Sequence, residues 1–223
     1  FLYTCIINAV VGGLLLLYGR GAENKMSRRD GYCVVTLSWV FFTFFGMLPF
    51  YFSGSIDTIT NAFFETMSGF TTTGATILDD IESLSHGMLF WRSLTQWIGG
   101  LGIVFFTIAI LPIFTTGGVQ LFSAESTGVT HDRTHPKINV MAKWLWTIYL
   151  VLTVSETVLL MFGGMSLFDA ICQSFATTAT GGYSTKQNSI SYWNSPYIEY
   201  VVAIFMIVSS INFSLFLMCL KGK

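Results

Sequence analysis

Charged side chains are scarce in this sequence. Asp, Glu, Lys and Arg make up 10% of its 223 residues, whereas a soluble globular domain carries about 25%. Hydrophobic residues make up 52%, and the mean hydropathy is +0.63. This composition argues against a soluble fold and indicates a protein that lies largely in a lipid bilayer. The net charge of −1 offers no basic surface, so we expect no nucleic-acid partner.

Residue sets for enzymatic chemistry are also missing. The cysteines are scattered, which is typical of small buried hydrophobic residues rather than of a disulfide or metal framework. The histidines have no metal-ligand companions at suitable spacing. We find no Ser/His/Asp set, no paired catalytic acids and no phosphate-binding Gly-Lys motif, so we expect no enzymatic activity and no cofactor. The residues concerned are Cys5, Cys33, Cys172, Cys219, His86, His131 and His135.

Five apolar stretches approach the length of about 20 residues that a membrane-spanning helix needs. The first begins at Phe1, without a Met, so we expect the natural start to lie upstream. The stretches are 1–18, 32–52, 88–114, 140–162 and 197–220.

The basic residues lie almost entirely on one side of this arrangement. Of eleven Lys and Arg, only Arg92 and Lys186 fall on the other side, so the basic side is predicted to be cytoplasmic by the positive-inside rule. Acidic residues on the outer side indicate either a mouth that attracts cations or simply a solvated surface. The basic residues are Arg20, Lys25, Arg28, Arg29, Arg133, Lys137, Lys143, Lys221 and Lys223, and the outer acids are Asp57, Asp79, Asp80, Glu82 and Asp169.

The two outer connections, 53–87 and 163–196, are each too long for a hairpin loop and too apolar to be fully exposed to water. In the first, residues 57–70 predict a helix too short to cross a bilayer, followed by Thr71-Thr72-Thr73-Gly74-Ala75-Thr76. In the second, Ser166 or Asp169 begins a short helix through Phe175. That helix precedes the segment Thr177-Thr178-Ala179-Thr180-Gly181-Gly182-Tyr183-Ser184-Thr185.

The two connections form an internal repeat. Gly182 lies 108 residues after Gly74, and the same offset pairs Thr180 with Thr72 and Asp169 with Asn61. A single Thr/Gly run would be read as an ordinary turn, but two copies in matching positions favour two re-entrant loops.

Such loops can bind a dehydrated cation. Non-helical backbone at membrane depth survives only where it lines a cavity or is buried in protein. Thr supplies a carbonyl and a hydroxyl oxygen, and Gly permits the positive φ that turns successive carbonyls to one side. The C-terminal ends of the short helices, each equivalent to about half a negative charge, would favour a cation nearby. The Thr/Gly segments are therefore predicted to line an ion pathway.

The motifs FFETMSGFTTTGAT at 63–76, RSLTQWIGGLGI at 92–103 and ATTATGGYST at 176–185 resemble the TrkH-type membrane subunit of bacterial Trk/Ktr potassium-uptake systems. The resemblance implies an all-α integral membrane fold of potassium-channel-like repeats, each a membrane helix, a re-entrant pore loop and a membrane helix. It also implies potassium uptake across the bacterial inner membrane, with potassium as the transported ion. The selectivity-filter residues carried over are Thr72, Thr73, Gly74, Ala75, Thr180, Gly181, Gly182 and Tyr183.

The resemblance also implies an organisation and partners. Family members have four such repeats, and this chain matches the first two. The family filter has fewer glycines than that of potassium channels, so we expect potassium preference with leakier exclusion of sodium. The implied partners are a second copy, giving a homodimer, and a TrkA-like ring of cytoplasmic nucleotide-binding regulatory subunits. We expect the end of a peripheral helix pair with a basic linker at 1–30, repeats at 31–114 and 140–223, and a cytoplasmic linker at 115–139 that either docks the ring or merely connects.

Several polar residues lie inside apolar segments, and for the two glutamates among them the sequence allows two roles. Glu65 tunes the filter potential or, as we favour, accepts hydrogen bonds from loop amides. Glu156 is a functional intramembrane acid or faces a neighbouring subunit. Asp169 is a possible support for the second loop. Arg92 is predicted to extend to the outer interface, and Asn212 to join two helices.

The glycines of Gln96-Trp97-Ile98-Gly99-Gly100-Leu101-Gly102 are predicted to pack behind the first loop rather than form a hinge.

Two alternative functions remain open. One is a two-pore-loop channel subunit that dimerises to complete four loops, although the Thr-Thr-Gly-Ala segment argues against the filters it predicts. The other is a membrane scaffold or sensor whose repeats only pack together.

Overall fold

The computed structural model describes residues 1–21, 28–102 and 138–211, and every regular element in these ranges is helical. The all-helical fold expected from the sequence is confirmed for them. The elements are α1 Leu2–Gly19, α2 Arg28–Gly46, α3 Leu48–Phe52, α4 Ile59–Phe70, α5 His86–Gly100, α6 Ile138–Phe162, α7 Leu167–Thr178, a 3₁₀ helix Ser189–Trp193, and α8 Pro196–Ser210.

Three of these helices are long and apolar enough to cross a membrane. They are Leu2–Gly19, Cys33–Phe52 and Trp144–Phe162, and the shorter α8 is also apolar. In α1 only Thr4 is buried, so nearly all of its leucines and valines would face lipid. Side chains that are apolar all round a helix, and unpacked within the protein, are stable in a bilayer but not in water.

A proline divides the second predicted span into α2 and α3. Pro49 lies in the first turn of α3 and has no N–H to continue the ladder of α2. The corresponding span of the second repeat, α6, is continuous over 25 residues. Both spans end where a glycine adopts a left-handed conformation, Gly54 at φ 67° and Gly164 at φ 95°. The first span of each repeat is therefore terminated in the same way, by a glycine with positive φ.

The two short helices inside the outer connections, α4 and α7, are both present. Each has 12 residues, and their bounds are related by the 108-residue offset read from the sequence. Thr58 caps α4 by accepting from the N–H of Asn61 at 3.2 Å, and Ser166 caps α7 by accepting from Asp169 at 3.1 Å. Of the two predicted starts for α7, Ser166 is therefore the cap.

Helix α7 continues three residues beyond the predicted end at Phe175. Thr177 fits inside the helix because its hydroxyl donates to the carbonyl oxygen of Gln173, four residues earlier, at 3.0 Å. The Thr/Gly segment of the second loop is shorter than expected and begins after Thr178.

Helix α5 lies between the two short helices and packs against both. Helices α6 and α8 pack against α7 on its other sides, and α2 packs against α4. Each repeat buries its own apolar cluster beside its short helix. The clusters are Met47, Phe50, Ile56, Ala62, Ile81, Leu84, Met88 and Leu89 in the first repeat, and Leu160, Met165, Ala170, Ile198, Val201 and Val202 in the second.

Two cysteine predictions need correction. Cys172 is buried, as expected, but Cys5 on α1 and Cys33 on α2 are exposed. Some predictions lie outside the described residues: the span beyond Gly102, the linker up to residue 137, and the last span from Asn212.

Candidate ion-binding site

Both short helices end in the same turn. The N–H groups of Thr72 and Thr73 donate back to carbonyl oxygens of α4 at 3.0 and 2.9 Å. The N–H groups of Thr180 and Gly181 donate to the equivalent carbonyls of α7 at 2.9 and 2.8 Å. This pair of bonds, five and three residues back along the chain, is a Schellman motif. The chain therefore leaves each helix in the same direction.

The backbone after each helix takes up conformations that L-residues seldom adopt. Thr72 has φ 53° and Thr180 has φ 55°, and both are β-branched, which makes the left-handed region costly for them. Two residues later Gly74 has φ 76° and Gly182 has φ 84°. Strained residues of this kind persist only where the surroundings hold them, and they concentrate at functional sites.

The two loop segments, 72–75 and 180–183, touch each other. A Cβ added to Gly74 would overlap the carbonyl oxygen of Gly181, so only glycine allows this approach. The contact brings together all eight residues that the sequence singled out. The residues of the two segments that remain exposed are Thr73, Ala75, Thr180 and Gly182.

Gln96 of α5 lies directly behind the second segment. Its Oε1 accepts from the N–H of Tyr183 at 3.1 Å, and a Cβ added to Gly181 would overlap its amide group. Gln96 itself is fully buried. The second segment is thus held against α5 through its backbone. From the sequence, only a packing role was predicted for the stretch that contains Gln96. The amide group of Gln96 in an apolar helix was the signal that it has a polar partner.

The Tyr183 side chain packs inside the protein, with 2% of its surface exposed. Its hydroxyl donates to the carbonyl oxygen of Glu65 at 2.8 Å and lies 3.3 Å from that of Ala75. The ring of one segment therefore reaches the helix and the segment of the other repeat. Any ion contact made by Tyr183 would come from its backbone.

Glu65 and Arg92 form a buried ion pair, with 2.7 Å between Nε of Arg92 and Oε1 of Glu65. The prediction that Arg92 extends to the outer interface is wrong, because Arg92 is 2% exposed. The carboxylate also accepts from the hydroxyl of Thr76 at 2.9 Å and from the N–H of Ile77 at 3.0 Å. The bond to Ile77 confirms the predicted contact with a loop amide. Two opposite charges in apolar segments were a signal for this pair that sequence reasoning passed over.

Arg92 makes two further contacts, both with the second repeat. Its Nη1 donates to the carbonyl oxygen of Ser184 at 3.1 Å. Its guanidinium carbon lies 3.5 Å from the centroid of the Tyr183 ring, in the geometry of a cation–π interaction. Arg92 therefore contacts both loops.

Asp169 supports the start of α7 rather than the Thr/Gly segment itself. Its two carboxylate oxygens accept from the hydroxyls of Thr185 at 2.6 Å and Ser166 at 2.7 Å. A carboxylate in the first turn is also favoured by the helix dipole. Asp169 thus ties the end of the second loop to the start of its helix.

Glu156 is fully buried in α6 behind the end of α7. The alternative that it faces a neighbouring subunit is therefore wrong, since its own chain covers it. The hydroxyl of Thr178 donates to its Oε2 at 3.4 Å, and its Oε1 has no hydrogen-bond partner within the described part of the chain. Glu156 has far fewer polar partners than Glu65.

The glycine stretch of α5 packs against both loops. A Cβ on Gly99 would overlap the carbonyl oxygen of Phe70, and one on Gly100 would lie 2.7 Å from Cα of Ala179. The predicted packing behind the first loop is confirmed and extends to the second loop. Small residues at such contacts let backbones approach closely.

The outer acids Asp57, Asp79, Asp80 and Glu82 are all exposed. Glu82 lies 3.7 Å from Lys186, and Asp80 accepts from the N–H of Glu82 at 3.1 Å. Within the described ranges, no group of three or more His, Cys, Asp or Glu side chains is arranged to hold a metal ion.

Residues 1–222 match the family model of TrkH, described as a cation transport protein. The chain belongs to the TrkH family. The family places this helical chain in the bacterial inner membrane as a multi-pass protein, in agreement with its apolar spans.

Curated relatives and a solved structure extend this assignment. The Trk system potassium uptake protein TrkH of Escherichia coli K12 is 44% identical over 225 residues, covering 100% of this chain and 47% of that protein. TrkG of the same organism is 33% identical over 100% of this chain and 46% of that protein. The crystal structure of the potassium transporter TrkH from Vibrio parahaemolyticus matches with a TM-score of 0.82 at 34% identity, over 100% of this chain and 44% of that one. The chain thus spans about half the length of the relatives it matches.

Proposed function

We propose that this chain forms half of a potassium-uptake pathway, and that segments 72–75 and 180–183 are two of the elements that surround the ion. The observation that carries the proposal is the pair of identical turns at Thr72 and Thr180, each followed by a left-handed glycine. Duplicated, strained backbone at the ends of two short buried helices has a use at an ion site and little use in a loop that only connects.

The electrostatics of the two short helices support a cation. Neither α4 nor α7 has a basic residue in its last turn, so their carbonyl ends are not neutralised there. Each end is equivalent to about half a negative charge. No carboxylate lies in either segment, and the carbonyl and hydroxyl oxygens of Thr and Gly are hard ligands suited to an alkali cation.

The composition of the segments suggests their selectivity. The first segment has one glycine, Gly74, and the second has two, Gly181 and Gly182. A filter with fewer glycines than that of potassium channels has fewer carbonyl groups already oriented toward the ion. This filter is therefore proposed to prefer potassium while excluding sodium incompletely.

The assembly of the whole protein is proposed by analogy with its relatives, which are named as potassium uptake proteins of the Trk system. Two further repeats would complete a ring of four segments. A second copy and a TrkA-like ring of nucleotide-binding subunits are the proposed partners, with the linker 115–139 as the docking candidate.

The test is the substitution of Gly74 and Gly182 by serine in the full-length gene product, expressed in a bacterial host that lacks its own potassium uptake. Both variants should lose preference for potassium over sodium, measured as the ratio of initial uptake rates, because a side chain there disturbs the carbonyl positions. Gly54→Ser and Gly164→Ser are controls outside the two segments, since these glycines also have positive φ and, like Gly182, have no atom within 4 Å of an added Cβ. A scaffold or sensor would show unchanged uptake in all four variants, and that result would reject the filter assignment.

A further inference from the structure

The buried ion pair between α4 and α5 has no obvious role in stability alone. Glu65 and Arg92 are nearly inaccessible to solvent. Removing two charges from water costs about as much as their attraction returns, so a buried pair is weak evidence for a stabilising role. Ionisable residues inside a membrane protein usually serve its function. The contacts of the pair indicate which function this is.

The carboxylate of Glu65 holds the chain where it leaves the first segment. Its Oε2 accepts from the N–H of Ile77 at 3.0 Å, and both oxygens lie within 3.1 Å of the Thr76 hydroxyl. Thr76 directly follows Ala75 in the chain. The exit of the first segment is therefore fixed to helix α4.

The guanidinium of Arg92 holds the chain where it leaves the second segment. It donates to the carbonyl oxygen of Ser184, which follows Tyr183, and lies over the Tyr183 ring. Arg92 and Glu65 therefore contact equivalent places on two different loops, since Ser184 lies 108 residues after Thr76. The ion pair joins those two places directly.

Tyr183 makes a second connection between the same loops. Its hydroxyl donates to the Glu65 carbonyl oxygen and lies 3.3 Å from that of Ala75. The Ala75 oxygen also accepts from Ser68 at 2.6 Å. A carbonyl oxygen engaged in these hydrogen bonds has a fixed direction.

The second repeat has no copy of this arrangement among its described residues. The position equivalent to Glu65 is Gln173, whose Nε2 donates at 3.3 Å to Thr177 in its own helix. Its Oε1 has no partner there. The connection is therefore particular to the junction between the first and second segments.

We propose that Glu65, Arg92 and Tyr183, together called the filter clamp, are positioning residues that set the spacing of the two segments and so the discrimination between potassium and sodium. The proposal rests on the filter function proposed above. The clamp side chains touch no ion. They act through the carbonyl oxygens of Ala75 and Ser184, the hydroxyl of Thr76 and the N–H of Ile77. Weakening it lets the carbonyls move and should lower discrimination before it lowers the amount of folded protein.

The decisive variant is Tyr183→Phe, which removes one hydroxyl and leaves the ring under Arg92. It should lower the potassium-to-sodium uptake ratio about fivefold, the effect expected from one buried hydrogen bond. The fall should come from a raised KM for potassium, with the amount of folded protein in the membrane nearly unchanged. Arg92→Lys keeps the charge but loses the forked donors, so it should lower the ratio at least as much.

Tyr149→Phe is the matched control. Tyr149 is also fully buried, and its hydroxyl donates to a carbonyl oxygen, that of Trp97, at 2.9 Å. This hydrogen bond joins α6 to α5 rather than to either segment, so its removal should leave the ratio of uptake rates unchanged. A general loss of stability would affect both tyrosine variants and both cations alike.

The outcomes separate the clamp from the filter. If Gly74→Ser and Gly182→Ser lower the ratio while Tyr183→Phe and Arg92→Lys leave it at the wild-type value, the clamp is wrong and the filter stands. If none of the four variants changes the ratio, both proposals fail. Tyr183→Phe retains the ring packing, so it remains informative even if Arg92→Lys does not fold.

Discussion

At the scale of single residues, two buried glutamates show how differently one side chain can be accommodated. Glu65 has an arginine, a hydroxyl and an amide as partners. Glu156 has one long contact with Thr178 and an oxygen without a partner in the described structure. A buried charge without a partner is much more costly than a neutral polar group of the same shape. The two sites should therefore respond in opposite ways to the same substitution.

We predict that Glu65→Gln lowers the stability of the protein and Glu156→Gln does not. The first leaves Arg92 buried without its counter-charge, which costs about 3–5 kcal/mol. The second replaces a poorly satisfied acid by a neutral isostere, so the thermal midpoint should stay the same or rise. Thermal unfolding of each purified variant in detergent, followed by size-exclusion chromatography, measures both effects. A lower midpoint for Glu156→Gln would show that its charge is compensated by a group elsewhere in the protein.

At the scale of elements, α5 organises both loops. One face of this helix carries Arg92, Gln96, Gly99 and Gly100, and each contacts a different part of the two repeats. The spacing of three or four residues places them on one side of the helix. The glycines bring the backbones close, and the polar side chains complete the hydrogen bonds of chain segments that have left regular structure.

We predict that Gly99→Ala destabilises the protein strongly, because its Cβ would overlap the Phe70 carbonyl oxygen. Overpacking of this kind costs about 1–3 kcal/mol. Gly13→Ala in α1 is the control: no atom lies within 4 Å of the added Cβ. There the substitution should stabilise the helix by about 0.4–1 kcal/mol. Thermal midpoints of the two alanine variants compare the sites, and equal midpoints would contradict the close contact.

The repeat was also predictable at this scale. A run of about a dozen helix-compatible residues with a cap before it and Thr/Gly after it specifies a short helix by local preferences alone. Adding the 108-residue offset to the first and last residues of α4 gives the first and last residues of α7. The end of α7 was missed by three residues, because the Thr177 hydroxyl finds its partner only once the helix has formed.

At the scale of the whole molecule, charge and hydropathy define the orientation. The exposed acids Asp57, Asp79, Asp80 and Glu82 lie on the outer connection that contains α4, and Arg20 directly follows Gly19, the last residue of α1. The positive-inside rule places Arg20 in the cytoplasm and the acids outside.

We predict that a cysteine at Asp79 reacts with a membrane-impermeant maleimide in intact spheroplasts, whereas a cysteine at Arg20 reacts only after the membrane is broken. The experiment requires a background in which the four natural cysteines are replaced by alanine, since Cys5 and Cys33 are exposed. Lys186→Cys, on the second loop, should behave like Asp79→Cys. Labelling of Arg20→Cys before lysis would reverse the proposed orientation.

The amino-acid sequence by itself determined the class of protein, its apolar spans, the two short helices of the outer connections and the positions of the Thr/Gly segments. These features depend on composition and on residues close together in the chain, so local free energies decide them. Only the tertiary structure decided that Arg92 pairs with Glu65, that Tyr183 turns inward to the first repeat, and that Gly74 meets Gly181. Such pairings depend on how helices far apart in sequence pack against each other. A buried charge is stable only where that packing places an opposite charge beside it.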